Sequence, residues 1–352
     1  MTTTSSKSPV AHDTMLTAEI QGPRQLSVRR VPIPEFGPAD ALLRVHACGI
    51  CGSDVHRYLV DAYGSRFRYP LNSGHEFAAE VVAVGEHVND FKPGEWVTGH
   101  SSWVDCGGAF AEYLLVPDAD RSLISIGGAG QTGDGGSLDA ALVTLIEPLT
   151  VALNALKQGA PASEHTSGRP PQLVILGGGT IGLAVLLAAQ AHGHRDIVVS
   201  EPSSLRRDIA VSLGARSVDP SGNDGLERLR KAVSAEQGAD VVFECASTED
   251  SIANAVEIVA RGGTLMMVAL SRTQVGIPAM SVVTKALKVL GMTGAPLHEH
   301  AAEAVAILAS RASEAARLVT HRFPLTEAEQ AFELACDPHS CCKVLVEPGG
   351  VA

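Results

Sequence analysis

Chemically capable side chains are densest between residues 46 and 56 of this chain. The polar members of that stretch are His46, Cys48, Cys51, Ser53, Asp54 and His56. The spacing of Cys48 and Cys51 is typical of half a zinc ribbon or of a redox pair. A ribbon needs a second pair, and Cys341 and Cys342 are adjacent and too close to form one. A redox pair usually begins a helix, whereas this stretch reads as β-structure. The pattern therefore leaves one thiolate ligand in need of partners.

Two further short motifs, G-H-E at residues 74–76 and I-E-P at residues 146–148, supply candidate partners. Catalytic zinc commonly has three protein ligands from Cys, His or carboxylate, and water or substrate takes the fourth position. Cys51 and His75, with a carboxylate from Glu76 or Glu147, fit that scheme. Taken singly, each has a simpler interpretation: a buried thiol, a core imidazole, and for Glu147 a helix-capping carboxylate. Their joint presence favours a metal site.

A glycine-rich motif at residues 177–182 fits the pattern G-x-G-x-x-G. It follows a short apolar run and opens a helical pattern, which is the context in which it indicates a dinucleotide pyrophosphate at a helix N-terminus. Glu201 ends the next predicted strand, where a carboxylate holds ribose hydroxyls and favours NAD over NADP. Arg206 and Arg207 could instead serve a 2′-phosphate, and Glu201 could simply be a charge at a helix N-terminus. The residues expected to contact the cofactor are Gly177, Gly179, Thr180, Ile181, Gly182, Glu201, Arg206, Val268, Leu270 and Thr293.

The pattern of elements changes once along the 352 residues, a length that suggests two domains. Residues 17–147 read as short β-runs separated by Gly, Pro and Asp. After a linker at residues 159–171, apolar strands alternate with helices, which predicts an α/β domain with a doubly wound parallel sheet covered on both faces. The last predicted strands, at 317–320 and 342–347, return to the first domain. The predicted parts are a disordered tail at 1–14, a β-rich catalytic domain at 15–157 and 296–352, and a dinucleotide-binding domain at 158–295.

Composition excludes several classes of protein. Acidic residues outnumber basic ones by 39 to 27, giving a net charge of -12, and no Lys/Arg cluster suits a nucleic acid. An odd number of cysteines, seven, argues for a reducing cytoplasm and against a secreted disulfide framework. The polar N-terminus lacks the apolar core of a signal peptide. The uncharged run at 173–191 is broken by glycines, so no membrane partner is expected.

Together, the motifs C-G-I-C-G-S-D (48–54), G-H-E and I-E-P resemble the medium-chain zinc-dependent alcohol dehydrogenases (the MDR superfamily). The sorbitol and polyol dehydrogenase-like branch, with its cyclitol-type members, is the most similar, and the resemblance covers nearly everything after the tail. It implies a GroES-like catalytic domain interrupted by a Rossmann domain. It also implies that Cys51 and His75 bind zinc, that one of Glu76 and Glu147 ligates it directly, and that the other acts through water.

By the same resemblance, the activity is reversible oxidation of a secondary alcohol, such as a polyol, sugar alcohol or cyclitol, to a ketone. Zinc would lower the pKa of the alcohol, whose carbon would give a hydride to NAD. Ser53 would take the alcohol proton and His56 would pass it through the ribose to solvent. The simpler interpretations are a turn residue for Ser53 and a surface imidazole for His56.

At two places the sequence departs from the pattern of the family that it resembles, and these departures concern the structural zinc site and the substrate. In many members of the family, four clustered cysteines in this region hold a second, structural zinc ion. Residues 100–112 contain one cysteine, Cys106, so no structural zinc is expected here. Arg57 follows the relay histidine where sorbitol dehydrogenases have Tyr, and Gly294 and Ala295 replace their Arg-Tyr pair, which argues against sorbitol itself. Arg57, Tyr58 and the loop 61–68 are expected to line the substrate pocket, with Arg57 meeting a hydroxyl-rich or anionic substrate or lying on the surface.

Three other functions compete with this prediction. A zinc-free, quinone reductase-like member of the superfamily would lack the Cys and His ligands that are present here. A non-catalytic, NAD-binding regulatory protein would bind cofactor without turnover, and a zinc hydrolase would leave the glycine motif unexplained. The expected partners are a small-molecule alcohol or ketone and a second copy of the chain, in a homodimer or homotetramer.

Overall fold

The computed structural model describes residues 13–60, 69–99, 107–127, 138–160, 171–233, 238–270, 274–294 and 296–349. Most of the predicted tail and linker therefore lies outside the described residues, as do Cys106, Ala295 and the loop 61–68. The chain divides into two compact units. Unit 1 comprises Met1–Glu147, Leu308–Asp337 and Lys343–Ala352, and unit 2 comprises Pro148–Ile307 and Pro338–Cys342. The sequence analysis predicted the boundaries between the two domains after residues 157 and 295.

The first part of the chain builds most of unit 1 from short strands. Its elements are β1 (Thr14–Gly22), β2 (Gln25–Pro32), β3 (Ala41–Gly49), α1 (Gly52–Leu59), β4 (Glu76–Val84), β5 (Trp96–Gly99), β6 (Tyr113–Val116), α2 (Ala119–Ser122), β7 (Leu123–Ser125) and α3 (Ala140–Val143). β1 and β2 form an antiparallel hairpin. β3 lies between β4 and β6, both antiparallel to it, and most of its residues are buried.

The middle of the chain builds unit 2 as alternating helices and strands. Its elements are α4 (Ile146–Gly159), β8 (Leu173–Leu176), α5 (Thr180–Ala191), β9 (Ile197–Ser200), α6 (Ser204–Ser212), β10 (Arg216–Val218), α7 (Gly225–Ala232), β11 (Ala239–Glu244), α8 (Glu249–Ile258), β12 (Val259–Met267), α9 (Ala279–Lys285), β13 (Lys288–Gly291) and α10 (Leu297–Ser310). The six strands pair in parallel in the order β10-β9-β8-β11-β12-β13. Every residue of β8 and β9 is buried, as expected for strands covered on both faces. The predicted doubly wound sheet is confirmed.

The end of the chain returns to unit 1 through α11 (Ala312–Ala315), β14 (Val319–Pro324), α12 (Ala328–Ala335) and β15 (Lys343–Glu347). β15 pairs in parallel with β14 and antiparallel with β3. The larger sheet of unit 1 thus has the order β14-β15-β3-β4-β5-β7, with β6 also paired to β3. This return brings a C-terminal strand beside the strand that leads to Cys51.

Within the described residues, one helical segment, Ala140–Gly159, which comprises α3 and α4, has the length and hydropathy of a membrane span. In this structure 72% of its apolar window is buried inside the protein, as in the core helix of a globular domain.

Candidate active site

Helix α1 begins immediately after Cys51, which is its N-terminal cap residue. The Asp54 carboxylate accepts the Cys51 backbone N–H at 3.0 Å, and the Cys51 carbonyl accepts the Asp54 N–H, also at 3.0 Å. This reciprocal capping fixes the thiol just beyond the end of β3. The sequence prediction of β-structure here was wrong, because a helix of eight residues directly after a buried strand is too short to show a clear 3.6-residue period.

Because Cys51 caps a helix, the absence of a helix no longer argues against a redox pair of Cys48 and Cys51. The burial of Cys48 argues against that pair instead. Cys48 lies in β3, is fully buried, and its Sγ contacts the Gly49 carbonyl at 3.7 Å. Burial raises the pKa of the Cys48 thiol well above its usual value, and the nearby carboxylates of Asp54 and Glu76 raise it further. Cys48 is therefore a core thiol and not a reactive thiolate.

His75 and Glu76 approach Cys51 from the neighbouring strand. Gly74 has a φ of +107°, and a Cβ there would lie 2.8 Å from the Cys48 sulfur, so only glycine fits. The turn ends at Glu76, the first residue of β4, which pairs with Gly49 in β3. One ligand atom each from Cys51, His75 and Glu76 lies within 4.8 Å of the other two. The structure thus brings together three of the four predicted metal ligands.

Glu147, the fourth predicted ligand, lies in the first turn of α4, outside this three-residue group. It is close enough to interact electrostatically with His75 and Glu76. Burial raises the pKa of the Glu147 carboxyl; the charges of His75 and Lys343 oppose this rise, and those of Glu76 and Asp54 add to it.

The cluster also changes the titration of His75. Burial lowers the pKa of His75, but the Cys51 thiolate, which is also its hydrogen-bond partner, and the carboxylates of Asp54 and Glu147 raise it by more. The net pKa therefore lies well above the usual histidine value. Such a shift shows that this pocket of anions favours a positive charge at its centre.

A zinc ion fits these donors. A thiolate, an imidazole and a carboxylate form the mixed ligand set that catalytic zinc uses. The buried cations Lys343 and Arg57 hydrogen-bond to Glu76 and Asp54 respectively. These two cations compensate the charges of Glu76 and Asp54. The two negative charges that remain, on Cys51 and Glu147, equal the charge of one dication, so the cluster with Zn²⁺ would be neutral overall.

Sequence reasoning missed two residues that support these donors. Asp54 is fully buried, and its Oδ1 lies 4.0 Å from Nδ1 of His75. Its position three residues after a helix-capping Cys51 was a usable signal. Lys343 opens β15, and nothing in its local sequence connects it to residues near 76.

Ser53 and His56, the predicted proton relay, lie three residues apart in α1 and so face the same side of that helix. Both residues are half-buried. Among the residues that the structure describes, the buried Ser53 Oγ has no hydrogen-bond partner. A buried hydroxyl in that state is free to bond a ligand.

The structure revises the interpretation of the two residues after His56. Arg57 is only 5% exposed, which excludes the alternative that it is a solvated surface charge. Tyr58 is fully buried against Phe332 and donates its hydroxyl to Glu333 at 2.5 Å. These contacts make Tyr58 a core residue of unit 1.

The dinucleotide motif of unit 2 forms the turn between β8 and α5. Gly177 has a φ of +99°, and a Cβ on Gly182 would collide with the Gly177 carbonyl oxygen. Gly179 caps α5, which Thr180 and Ile181 open. The positive φ of Gly177 and the close packing at Gly182 both require glycine. Both are typical of a strand–turn–helix that offers its backbone N–H groups to a pyrophosphate.

Glu201 lies just beyond β9 and is only 3% exposed. Its carboxylate accepts the Gly178 N–H at 2.7 Å and the Ser203 N–H at 2.8 Å. Arg206 donates from Nε to the Cys341 carbonyl at 2.8 Å.

A cavity of about 400 Å³ in unit 2 joins these residues. Gly177, Gly179, Glu201 and Arg206 line it. The prediction missed its other walls, which include Pro220, Cys245, Ala246, Thr248 and Pro338. Most of these follow strand ends, where ligands bind in parallel sheets, so the topology could have identified them. Val268, Leu270 and Thr293 follow β12 and β13 and are not among the lining residues.

A parallel dinucleotide-binding sheet, combined with a Cys–His–carboxylate cluster on a β-rich unit, defines a metal-dependent dehydrogenase. Two family models match the chain: "Alcohol dehydrogenase GroES-like domain" at residues 37–126 and "Zinc-binding dehydrogenase" at residues 180–310. The L-threonine 3-dehydrogenase of Bacillus licheniformis is 30% identical over 347 residues, which cover 92% of this chain and 95% of the relative. Mouse sorbitol dehydrogenase is 30% identical over 363 residues, with 92% and 96% covered.

A solved structure supports the same assignment. A zinc-binding dehydrogenase from Sinorhizobium meliloti 1021, crystallised with NADP, is 29% identical with a TM-score of 0.78, covering 96% of this chain and 100% of that one. The chain belongs to the zinc-dependent medium-chain alcohol dehydrogenase superfamily, in its polyol dehydrogenase-like branch. It is an alcohol oxidoreductase that uses zinc and a nicotinamide cofactor to act on a small molecule.

Proposed function

We propose that this enzyme reversibly oxidises a secondary alcohol of the polyol, sugar alcohol or cyclitol type to its ketone, with NAD as hydride acceptor. The observation that carries the proposal is the convergence of Cys51, His75 and Glu76 within 4.8 Å in a chain that also has a dinucleotide cavity. The relatives named for threonine and sorbitol support oxidation of a secondary hydroxyl.

Cys51, His75 and Glu76 are the direct ligands in this proposal, and Glu147 acts through water. Bound zinc supplies a Lewis acid that lowers the pKa of the substrate hydroxyl. The protein's own part is to hold the donors rigidly, through the α1 cap at Cys51 and the β3–β4 pairing at Glu76. Its buried carboxylates and cations leave two negative charges around the site, which a dication would neutralise.

Ser53 would take the proton from the substrate hydroxyl, and His56 would pass it on toward solvent. Support comes from the buried Ser53 Oγ, which has no partner among the described side chains, and from the position of His56 one helical turn further on. An imidazole titrates near neutral pH and so suits a shuttle.

NAD is favoured over NADP because the Glu201 carboxylate lies in the cavity, where it would repel a 2′-phosphate. The arginines that could serve a phosphate have other partners. Arg206 bonds to the Cys341 carbonyl, and Arg207 bonds to the Glu201 carbonyl at 2.9 Å and pairs with Asp219 at 3.4 Å. Gly177, Gly179, Thr180, Ile181 and Gly182 would hold the pyrophosphate, and Val268, Leu270 and Thr293 the nicotinamide half.

A homodimer through β13 is part of the same proposal, with a homotetramer as the larger alternative. β13 is an edge strand of the unit 2 sheet. The apolar side chains of Met280 and Val283, in the helix α9 that precedes β13 in the chain, are 75% and 76% exposed, and Leu270 is 56% exposed. An open edge with large apolar neighbours is a typical pairing surface. Loss of the dimer in a Met280→Lys, Val283→Lys protein, measured by light scattering, would support this interface, and an unchanged mass would contradict it.

A cytoplasmic location is also proposed, since no disulfide joins the six cysteines that the structure describes.

The experiment that tests the function follows NADH formation over a panel of sugar alcohols, cyclitols and simple secondary alcohols. The expected result is turnover of at least one ring or chain polyol, lost in Cys51→Ala and retained in Cys336→Ala, a half-buried cysteine at the end of α12. Full activity of Cys51→Ala would show that the zinc mechanism is wrong. NAD binding without turnover of any alcohol would indicate a regulatory protein.

A further inference from the structure

Arg57 is a buried arginine in α1, the helix that Cys51 caps. It is 5% exposed, and its NH1 donates to Oδ1 of Asp54 at 3.1 Å; Asp54 itself is fully buried. Tyr69 donates its hydroxyl to the Arg57 carbonyl at 3.0 Å, which ties the end of this helix to the chain that leads to β4. A buried guanidinium is stable only where its charge is compensated, so the ion pair with Asp54 holds both groups in place.

Asp54 is the residue through which Arg57 reaches the donors. One carboxylate oxygen, Oδ2, accepts the backbone N–H of Cys51 at 3.0 Å. The other, Oδ1, lies 4.0 Å from Nδ1 of His75 and 3.1 Å from Arg57. A single carboxylate therefore touches the segment that carries the thiol, faces the imidazole, and is fixed by the arginine.

We propose that Arg57 is a positioning residue of the metal centre, which acts by fixing the Asp54 carboxylate between Cys51 and His75. The proposal rests on the proposed zinc-dependent function. Arg57 bonds the Asp54 oxygen nearest His75, so it sets how closely that oxygen can approach the imidazole. Groups that orient metal ligands in this way change metal affinity about 10- to 100-fold when they are removed.

The charge of Arg57 is as important as its hydrogen bond. Without it, Asp54 would be a buried carboxylate beside an already anionic group of donors, and it would gain by moving toward His75. That movement would release the Cys51 N–H or turn the imidazole. Lys343 cannot substitute, because its Nζ is bonded to Glu76 and to the Ile50 carbonyl.

The test uses Co²⁺ in place of zinc in the full-length protein, because Co²⁺ in such a site absorbs visible light and its bands depend on ligand geometry. Four variants are compared with the unsubstituted protein. Arg57→Met removes both the charge and the hydrogen bond, Arg57→Gln keeps a donor, and Arg57→Lys keeps the charge. Arg44→Met is the control, since Arg44 is a half-exposed arginine of unit 1 that pairs with Glu80.

The expected result is a Co²⁺ affinity at least about tenfold lower in Arg57→Met, with shifted visible bands in the loaded protein. Arg57→Gln should lie between Arg57→Met and the unsubstituted protein, Arg57→Lys should restore the bands, and Arg44→Met should match the unsubstituted protein. Unchanged affinity and bands in both Arg57→Met and Arg57→Gln, even with a lower unfolding midpoint, would show a merely structural role and overturn the proposal. If the unsubstituted protein itself takes up no Co²⁺, the proposed function fails first, and the role of Arg57 fails with it.

Discussion

Lys343 donates hydrogen bonds from its Nζ to Oε2 of Glu76 and, at 3.0 Å, to the carbonyl of Ile50. Both charged side chains are only 1% exposed, and 267 residues separate them in the sequence. The C-terminal strand β15 therefore places a buried ammonium behind a carboxylate that faces the metal donors. Glu76 is held from one side by an ammonium and is open to a metal ion on the other.

Substitution of Lys343 by Met should destabilise the metal-depleted protein strongly. Removal of one partner from a buried ion pair leaves the other charge uncompensated and costs about 3 to 5 kcal/mol. Because Zn²⁺ would compensate the Glu76 charge, the loss should be smaller in the zinc-loaded protein. Urea unfolding with and without zinc measures both values. The control is Lys231→Met, which removes a 75% exposed partner of Glu227 and should cost less than about 1 kcal/mol. Equal losses for the two lysines would contradict this account of the pair.

The two candidate carboxylate ligands should separate clearly in metal affinity. Glu76 lies in the three-donor group, whereas Glu147 lies outside it. Glu147→Gln should therefore lower zinc affinity by no more than about 10- to 100-fold, the range for groups beyond the direct ligands. Glu76→Gln should lower zinc affinity by more than that. Competition with a chelator of known zinc affinity gives both numbers, and a larger loss in Glu147→Gln would reverse the assignment.

Ser53→Ala should lower kcat without loss of zinc. A positioned proton acceptor contributes about 10²- to 10⁴-fold to the rate, so a decrease in that range is expected. Ser53→Thr keeps a hydroxyl at the same carbon and should retain most of the activity. Turnover with the best alcohol of the panel, together with zinc content by atomic absorption, distinguishes the outcomes. A Ser53→Ala enzyme within about twofold of normal kcat would leave Ser53 as a turn residue.

The parallel sheet of unit 2 could be predicted from the sequence, because β8, β9, β11 and the end of β12 are short apolar runs. The short edge strands β10 and β13 each begin with a charged residue and were not predicted. The Gly177–Gly182 turn and Glu201 lie where the G-x-G-x-x-G pattern places them. In unit 1 the same reasoning missed α1, whose eight residues follow a buried strand without a clear change of period. Local pattern predicts elements well only when they are long enough to repeat.

Within the candidate metal site, the donors were accessible to sequence reasoning and their supports were not. Cys51, His75 and Glu76 can be identified as candidate ligands from their residue types within short motifs. Lys343 and Arg57 act through ion pairs that depend on burial, which a single sequence does not reveal. From the sequence alone, Lys343 would be interpreted as a surface charge. Its burial follows from the pairing of β15 with β3, which only the structure shows.

Glu201→Ala should weaken NAD binding more than NADP binding. A hydrogen bond to a charged group contributes about 1.5 to 3 kcal/mol, so loss of the ribose contact should lower NAD affinity by at least about tenfold. NADP should lose less, because its 2′-phosphate no longer meets a carboxylate. The ratio of kcat/KM for the two cofactors measures the change, with Glu257→Ala, an exposed acid of the same unit, as the control. An unchanged ratio would remove Glu201 from the ribose site.

Two glycines of the dinucleotide turn should respond to alanine in opposite ways. A Cβ on Gly182 would collide with the Gly177 carbonyl, so α5 would have to move away from β8, at a cost of about 1 to 3 kcal/mol in the free energy of unfolding. Among the residues that the structure describes, a Cβ on Gly179 would meet only the Arg206 guanidinium, at 3.6 Å, so Gly179→Ala should unfold at the normal urea concentration. Gly179 nevertheless lines the cavity, and a methyl group there keeps the backbone N–H groups away from a pyrophosphate. Gly179→Ala should therefore lose NAD affinity without losing stability. Unfolding curves and NAD titrations on the two variants make the comparison, and equal stability loss in both would show that this turn is tight throughout and has no open face for a phosphate.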